Sequence, residues 1–406
     1  MATDSQKGGQ ARTPPDVLDF HTKGEAVAAL RAYEDGKPAS KEESSAKERG
    51  SKPDRKGILV GSLFMAAVFA SLIVYIVRTG QQAALMEALG RVQAPWIVAT
   101  FAVMVAYLVF GTLAFVTTVV VTPDAPAGAL DLCSAEAAGT LFGNLTPMMA
   151  GSVPGQIWRL LKSGLGFGAA SAVQITRFLM FQLAELVLGG VLLALTWDYF
   201  YTRVGAVLVL NLVIFALKAA QMAVLLAACL FPGWVTKVAL AALDFVDRHR
   251  LFGLQGRTDG WRSAVKTQVA QFSSAFRTAV RHRGAMLVML LFSIAQQACL
   301  WASPWFVLGA FGLHENLLVV CAAGSLVQFV ASSIPLPGGT GGVEASFALF
   351  LGPLFGPAAT AGYLVWRLVT SYGYTAICGA VTMASTKPGS PTVRQRMRGL
   401  VTRMDG

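Results

Sequence analysis

Six stretches of this chain stay apolar for about 20 residues or more: Ile58 to Val77, Pro95 to Val121, Gly168 to Thr196, Val204 to Leu230, Ala285 to Phe311 and Ala358 to Ala384. A helix rises about 1.5 Å per residue, so each run can cross a hydrocarbon core of about 30 Å. No water reaches the backbone there, and a helix pairs its own N–H and C=O groups. With 54% hydrophobic and only 14% charged residues, and a mean hydropathy of +0.57, the chain reads as an integral membrane protein. In a soluble chain the net charge of +11 would point to nucleic acid. In a membrane protein it reports cytoplasmic loops and anionic lipid headgroups, so lipids are the expected partners and nucleic acid is not.

Two further apolar regions, Leu130 to Leu161 and Leu317 to Phe355, are broken near their middles by proline and glycine. Their topology follows from the basic residues. Lys52, Arg55 and Lys56 precede the first span, a run from Lys237 to Arg283 separates the fourth and fifth, and Lys387 to Arg403 follow the last. If all three groups are cytoplasmic, Leu130 to Leu161 must start and end inside, and Leu317 to Phe355 must start and end outside. The expectation is an all-α polytopic membrane protein: about six full transmembrane helices plus two re-entrant helical hairpins, entering from opposite faces as an inverted repeat. Irregular backbone at membrane depth is tolerated only inside protein or beside a water-filled cavity.

One offset supports the repeat. Pro147 and Pro337, Gly151 and Gly341, Val153 and Val343, Arg177 and Arg367, and Gly189 and Gly379 are each 190 residues apart. Arg177 and Arg367 each lie about ten residues into a span, about 15 Å deep. An arginine there costs at least about 2.5 to 3.5 kcal/mol, so it faces a cavity or a partner. A carboxylate such as Glu185 or Glu344 would hold it structurally; an anionic substrate would use it functionally. Broken helices present unpaired N–H groups and guanidinium forks bind phosphate bidentately, which suits an anionic headgroup in an alternating-access transporter. The candidate substrate-binding residues are Arg177, Arg367, Arg159, Pro147, Gly151, Pro337, Gly338, Gly339, Gly341, Gly342 and Glu344. Glu185, Lys218 and Glu344 are candidates for an ion pair or a coupling proton. Gln174, Gln182, Asn211, Gln221, Gln296, Gln297 and Gln328 read as interhelical hydrogen-bonding residues.

Residues 1–56 are polar and carry Pro14-Pro15, the composition of a disordered cytoplasmic tail, with no secretory signal expected ahead of the first span. The transmembrane region is expected over 57–386 and a basic cytoplasmic tail over 387–406. Within 231–283, Trp234, Val238 and Trp261 interleave with charge, the pattern of interfacial helices. The five cysteines are scattered singly and the four histidines form no ligand spacing, so neither a metal nor another cofactor is expected.

Ile334 to Glu344 (IPLPGGTGGVE) followed by Tyr363 to Arg367 (YLVWR), with Phe142 to Pro147, Arg159 to Gly164 and Arg177 in the first half, resembles the membrane region of lysylphosphatidylglycerol synthases. This flippase-like domain also occurs alone in bacterial and archaeal proteins. The resemblance covers roughly Ile58 to Ala384. It implies movement of lipid, including aminoacylated phosphatidylglycerol, between the leaflets of a prokaryotic plasma membrane, with a separate lipid-modifying enzyme as a candidate partner. Met148-Met149-Ala150 departs from the glycine-rich turn of that pattern. The chain ends soon after its last span, so the expectation is a transporter without the tRNA-dependent synthase domain. Two other readings stand beside it: a membrane-embedded lipid-modifying transferase or its membrane subunit, drawing on Asp124, Asp131 or Glu136, and a scaffold for envelope enzymes.

Overall fold

The computed structural model of the chain describes residues 92–121, 126–146, 149–248, 281–333, 341–387 and 390–396, with a few isolated positions between them. The polar tail, the first apolar span, the basic stretch 249–280, and Pro147, Pro337, Gly338 and Gly339 lie outside the described residues. All regular structure among the described residues is helical. The helices are α1 (Ala94–Val121), α2 (Ala129–Leu145), α3 (Ser152–Lys162), α4 (Phe167–Leu195), α5 (Trp197–Leu230), α6 (Pro232–Arg248), α7 (Arg283–Ala310) and α8 (Leu317–Ser333). A broken run follows: α9 (Gly342–Ser346), a π turn (Phe347–Leu351), α10 (Gly352–Phe355), a 3₁₀ turn (Gly356–Ala358), α11 (Ala359–Arg367), a second π turn (Leu368–Gly373) and α12 (Tyr374–Thr382).

Among the described residues four helices are long and apolar enough to cross a membrane: α1, α4, α7 and the run Gly342–Thr382. That last run of 41 residues is bent at Gly356, whose φ of +54° ends one helix before the next begins. Val204 to Leu230 falls inside α5, whose described apolar core is Leu212–Ala223.

Both broken regions are helix–break–helix units. In the first, α2 (17 residues) and α3 (11 residues) pack against each other, and neither is long enough to span. Their close approach needs small residues: a Cβ at Gly151 would lie 2.6 Å from the Phe142 carbonyl oxygen, and one at Gly155 2.4 Å from the Phe142 ring. Thr146 closes the break, its hydroxyl donating to the Phe142 carbonyl at 2.8 Å and accepting from the Gly151 N–H at 2.7 Å. Met149 takes the left-handed conformation (φ 57°) where a glycine is the cheaper choice, at a cost of about 1–2 kcal/mol. In the second unit α8 is again 17 residues, and α9 and the π turn after it return against it.

Helix bounds recur along the chain. Helices α1 and α7 are both 28 residues long and start 189 residues apart, at Ala94 and Arg283. Helices α2 and α8 start 188 apart, at Ala129 and Leu317, and α3 and α9 start 190 apart, at Ser152 and Gly342. The paired long helices α1 and α7 pack on each other more extensively than any other two, and α12 packs on α2.

The largest apolar cluster surrounds the second unit, with the Trp301 ring against Phe329 and the Phe347 ring against Phe355 and Trp366. A smaller one holds the first unit: Phe115, Val119, Leu132, Leu160 and Val173, closed by Val393 from beyond the last helix.

Candidate functional site

A cavity of about 670 Å³ opens between the two broken units. Helices α1 to α5, α8, α11 and α12 all line it, and both midspan arginines are in its wall. Its walls combine apolar and aromatic side chains with polar residues from both broken units, including Asn144 and Gln156 from the first and Gln328, Ser332 and Ser333 from the second.

Arg177 is held on the first side, almost fully buried at 3% exposure. It donates to the Gln296 side-chain oxygen and to Ser293 Oγ (3.5 Å), and Glu136 Oε1 stands 3.6 Å from its Nη2. The Gln296 amide nitrogen in turn donates to Glu136 Oε1 at 2.6 Å, so one glutamine bridges the pair. Phe115 and Phe181 place rings 5.7 and 5.3 Å from the guanidinium carbon, a low-dielectric surround with favourable ring faces. Gly111 makes room: a Cβ there would lie 2.4 Å from Glu136 Oε1 and 2.6 Å from Gln296 Nε2. Three buried polar atoms here have no hydrogen-bond partner among the described residues: Glu136 Oε2, Arg177 Nε and Gln174 Oε1. Such atoms on a cavity wall call for water or a ligand.

Arg177 therefore does not pair with Glu185 or Glu344, the carboxylates the sequence offers on its own span and in the second motif. Glu136 reaches it because α2 and α4 both pack on α1 and on α3. Glu185 is held instead by Lys218 of α5 at 3.0 Å, with the Lys218 ammonium also 5.0 Å from the Phe329 ring.

On the other side Arg367 closes α11 and donates to Ser371 Oγ at 3.0 Å. The second π turn inserts its extra residue here, and Thr370 and Ser371 both line the cavity. Glu344 Oε1 lies 4.0 Å from Arg367 and accepts from the Tyr363 hydroxyl, while its Oε2 accepts from the Gly341 N–H. Gly341 has φ +84°, so Gly341, Gly342 and Glu344 together form the start of the returning arm. Gly151 has the corresponding place at the start of α3.

Arg159 is not on the cavity. It is buried at 4% exposure, donates from Nε to the Thr382 carbonyl (3.1 Å) and from Nη2 to the Ala384 carbonyl, and lies 3.9 Å from Asp131. Asp131 also accepts from the N–H groups of Gly128 and Thr386. These contacts cap the orphan carbonyls at the end of α12, where a cation is favoured. The site residues that sequence reasoning missed include Tyr107, Asn144, Gln156, Thr370 and Tyr374. None carries a charge that would mark it in the sequence, and only the packing brings them together. Of the interhelical candidates, Gln174, Gln182, Gln221 and Gln328 line the cavity, while Gln297 is buried. No group of three or more potential metal ligands occurs among the described residues.

The fold and site define a helical membrane protein with broken helices and a cavity lined by charged side chains. The family model described as lysylphosphatidylglycerol synthase TM region matches residues 58–378, and the chain belongs to that family. No curated protein and no solved structure matches the chain.

Proposed function

We propose that the protein is a lipid flippase or transporter of a prokaryotic plasma membrane, moving an anionic or aminoacylated phospholipid, or a polyprenyl-phosphate-linked glycolipid, between leaflets. The observation that carries this reading is the cavity of about 670 Å³ with Arg177 and Arg367 in its wall and a helix break on either side. That volume suits a headgroup, with the acyl chains left in the bilayer. In this reading the two helix–break–helix units are re-entrant hairpins of an inverted repeat, entered from opposite faces, and both termini are cytoplasmic. The recurrence of helix bounds at 188 to 190 residues supports the repeat. The family's name also keeps in view a membrane subunit working with a separate lipid-modifying enzyme.

The test is reconstitution into vesicles carrying a trace of labelled phosphatidylglycerol, with movement read by quenching of the outer leaflet. Wild type is expected to move the lipid well above empty vesicles, and Arg367→Gln to lose at least about tenfold, the effect of one charge-assisted contact. Equal rates in wild type, Arg367→Gln and empty vesicles, across the candidate lipids, would remove the reading.

A further inference from the structure

Among the described residues the cavity's cations are matched one by one: Arg177 by Glu136, Lys218 by Glu185 and Arg367 by Glu344. On the reading that a phosphate headgroup enters this cavity, it brings a negative charge into a wall already neutral. An unmatched charge at membrane depth is strongly excluded, and one proton on a wall carboxylate restores the balance.

The geometry distinguishes the three carboxylates. Glu344 has both oxygens engaged, one by Tyr363 and one by the Gly341 N–H. Glu185 bonds the Lys218 ammonium directly at 3.0 Å. Glu136 is different: its Oε2 is buried with no hydrogen-bond partner among the described residues, while Oε1 keeps the Gln296 amide whichever form the carboxyl takes. Arg177 stands 3.6 Å from Glu136 and is anchored by Gln296 and Ser293. A proton on Oε2 therefore breaks no hydrogen bond and leaves the guanidinium in place, with its unpartnered Nε available to an anion. The titratable and charged groups facing Glu136 are Arg177 from α4, Tyr107 from α1, Tyr374 and Cys378 from α12, and Cys133 on α2 itself. Among the described residues helices α3 and α7 bring neutral side chains to this part of the site, Gln156 from α3 and Ser293 and Gln296 from α7.

We infer that Glu136 is the proton-binding site of this cavity. A phosphate monoanion binding at Arg177 is accompanied by one proton from water, which joins Glu136 Oε2 and converts the carboxylate to the acid. The guanidinium exchanges its carboxylate neighbour for a phosphate oxygen, and the wall together with its bound phosphate carries the same net charge as the empty wall.

The test uses the full chain in phosphatidylcholine nanodiscs, titrated with short-chain phosphatidylglycerol in weakly buffered solution. Binding is followed by tryptophan fluorescence and proton uptake by a pH dye. Wild type is expected to take up about one proton per lipid bound, with affinity falling about tenfold per pH unit wherever the resting site holds Glu136 ionised. Glu136→Gln, which mimics the protonated form, is expected to bind with no uptake and a flat pH profile. Binding by wild type without proton uptake, or uptake unchanged in Glu136→Gln, would overturn the proton site while leaving lipid transport standing. No saturable binding of anionic lipid by wild type would count against the transport reading itself. The wild-type proton count decides the question even if Glu136→Gln does not fold. Short-chain phosphatidylcholine is expected to cause no uptake, and equal uptake with inorganic phosphate would overturn the lipid as the source of the anion.

Discussion

Replacing Arg177 by methionine keeps most of the side-chain volume and removes the charge, leaving Glu136 buried at 5% exposure without its counter-charge. At the observed 3.6 Å, two unit charges in an effective dielectric of about 20 attract by about 4.6 kcal/mol. Breaking a buried pair from one side costs about 3–5 kcal/mol, because the remaining charge has already lost its water. Arg177→Met should therefore destabilise the protein by about 3–5 kcal/mol. Adding Glu136→Gln should recover at least about 2 kcal/mol, since the unmatched charge is gone and the Gln296 contact to Oε1 can be kept. The assay is reversible unfolding by SDS in mixed micelles, followed by tryptophan fluorescence. The deficit of the single variant should shrink as the pH is lowered, because protonation removes the same charge. A double variant no more stable than Arg177→Met would refute this reasoning, as would a single variant within about 0.5 kcal/mol of wild type.

Gly324→Leu should cost about 1–3 kcal/mol in the same unfolding assay, since even a Cβ would lie 2.9 Å from the Trp301 carbonyl oxygen, a backbone atom that cannot turn aside. Arg159→Gln leaves the Thr382 and Ala384 carbonyls without their cation and is expected to expose the segment after residue 384 to limited proteolysis, with little direct effect on lipid binding at the cavity. Gly356→Ala places a side chain at φ +54° with open space around it, so the expected loss is only about 1–2 kcal/mol of backbone strain. Ser333→Cys, in a chain without its native cysteines, should react with a membrane-impermeant thiol reagent from the outside only; reaction from the cytoplasm alone would reverse the orientation of the second unit.

Much of the fold can be read from the chain because lipid imposes a simple code. Gly168 to Thr196 corresponds to α4 (Phe167–Leu195), Ala285 to Phe311 to α7 (Arg283–Ala310), and the two apolar regions with central proline and glycine to two broken units, α2 with α3 and α8 with the interrupted run from α9 to α10. Length and punctuation suffice there, since a helix is the only local solution for an apolar run and a break must fall where the punctuation is. The turn at Met149 was not readable in this way. Its positive φ is imposed by Thr146, whose hydroxyl ties both sides of the break, and side-chain closure of a turn leaves no residue-type signature at the strained position itself.

The site divides along the same line. Arg177 and Arg367 stand out because a lone charge in an apolar run must be explained, but the sequence does not say by what. Glu136 carries the same signal in α2, where the sequence offers it beside Asp124 and Asp131 without recognisable spacing. Packing supplies its partners: Gly111 in α1 removes the side chain that would fill the space, and Gln296 from α7 enters to bond both Glu136 and Arg177. A partner set drawn from α2, α4 and α7, with a gap left by α1, is a property of four helices at once. No spacing within one segment can encode it, whereas two opposite buried charges and a glutamine bridging them become inevitable neighbours once those four helices meet, because each would be too costly to leave alone.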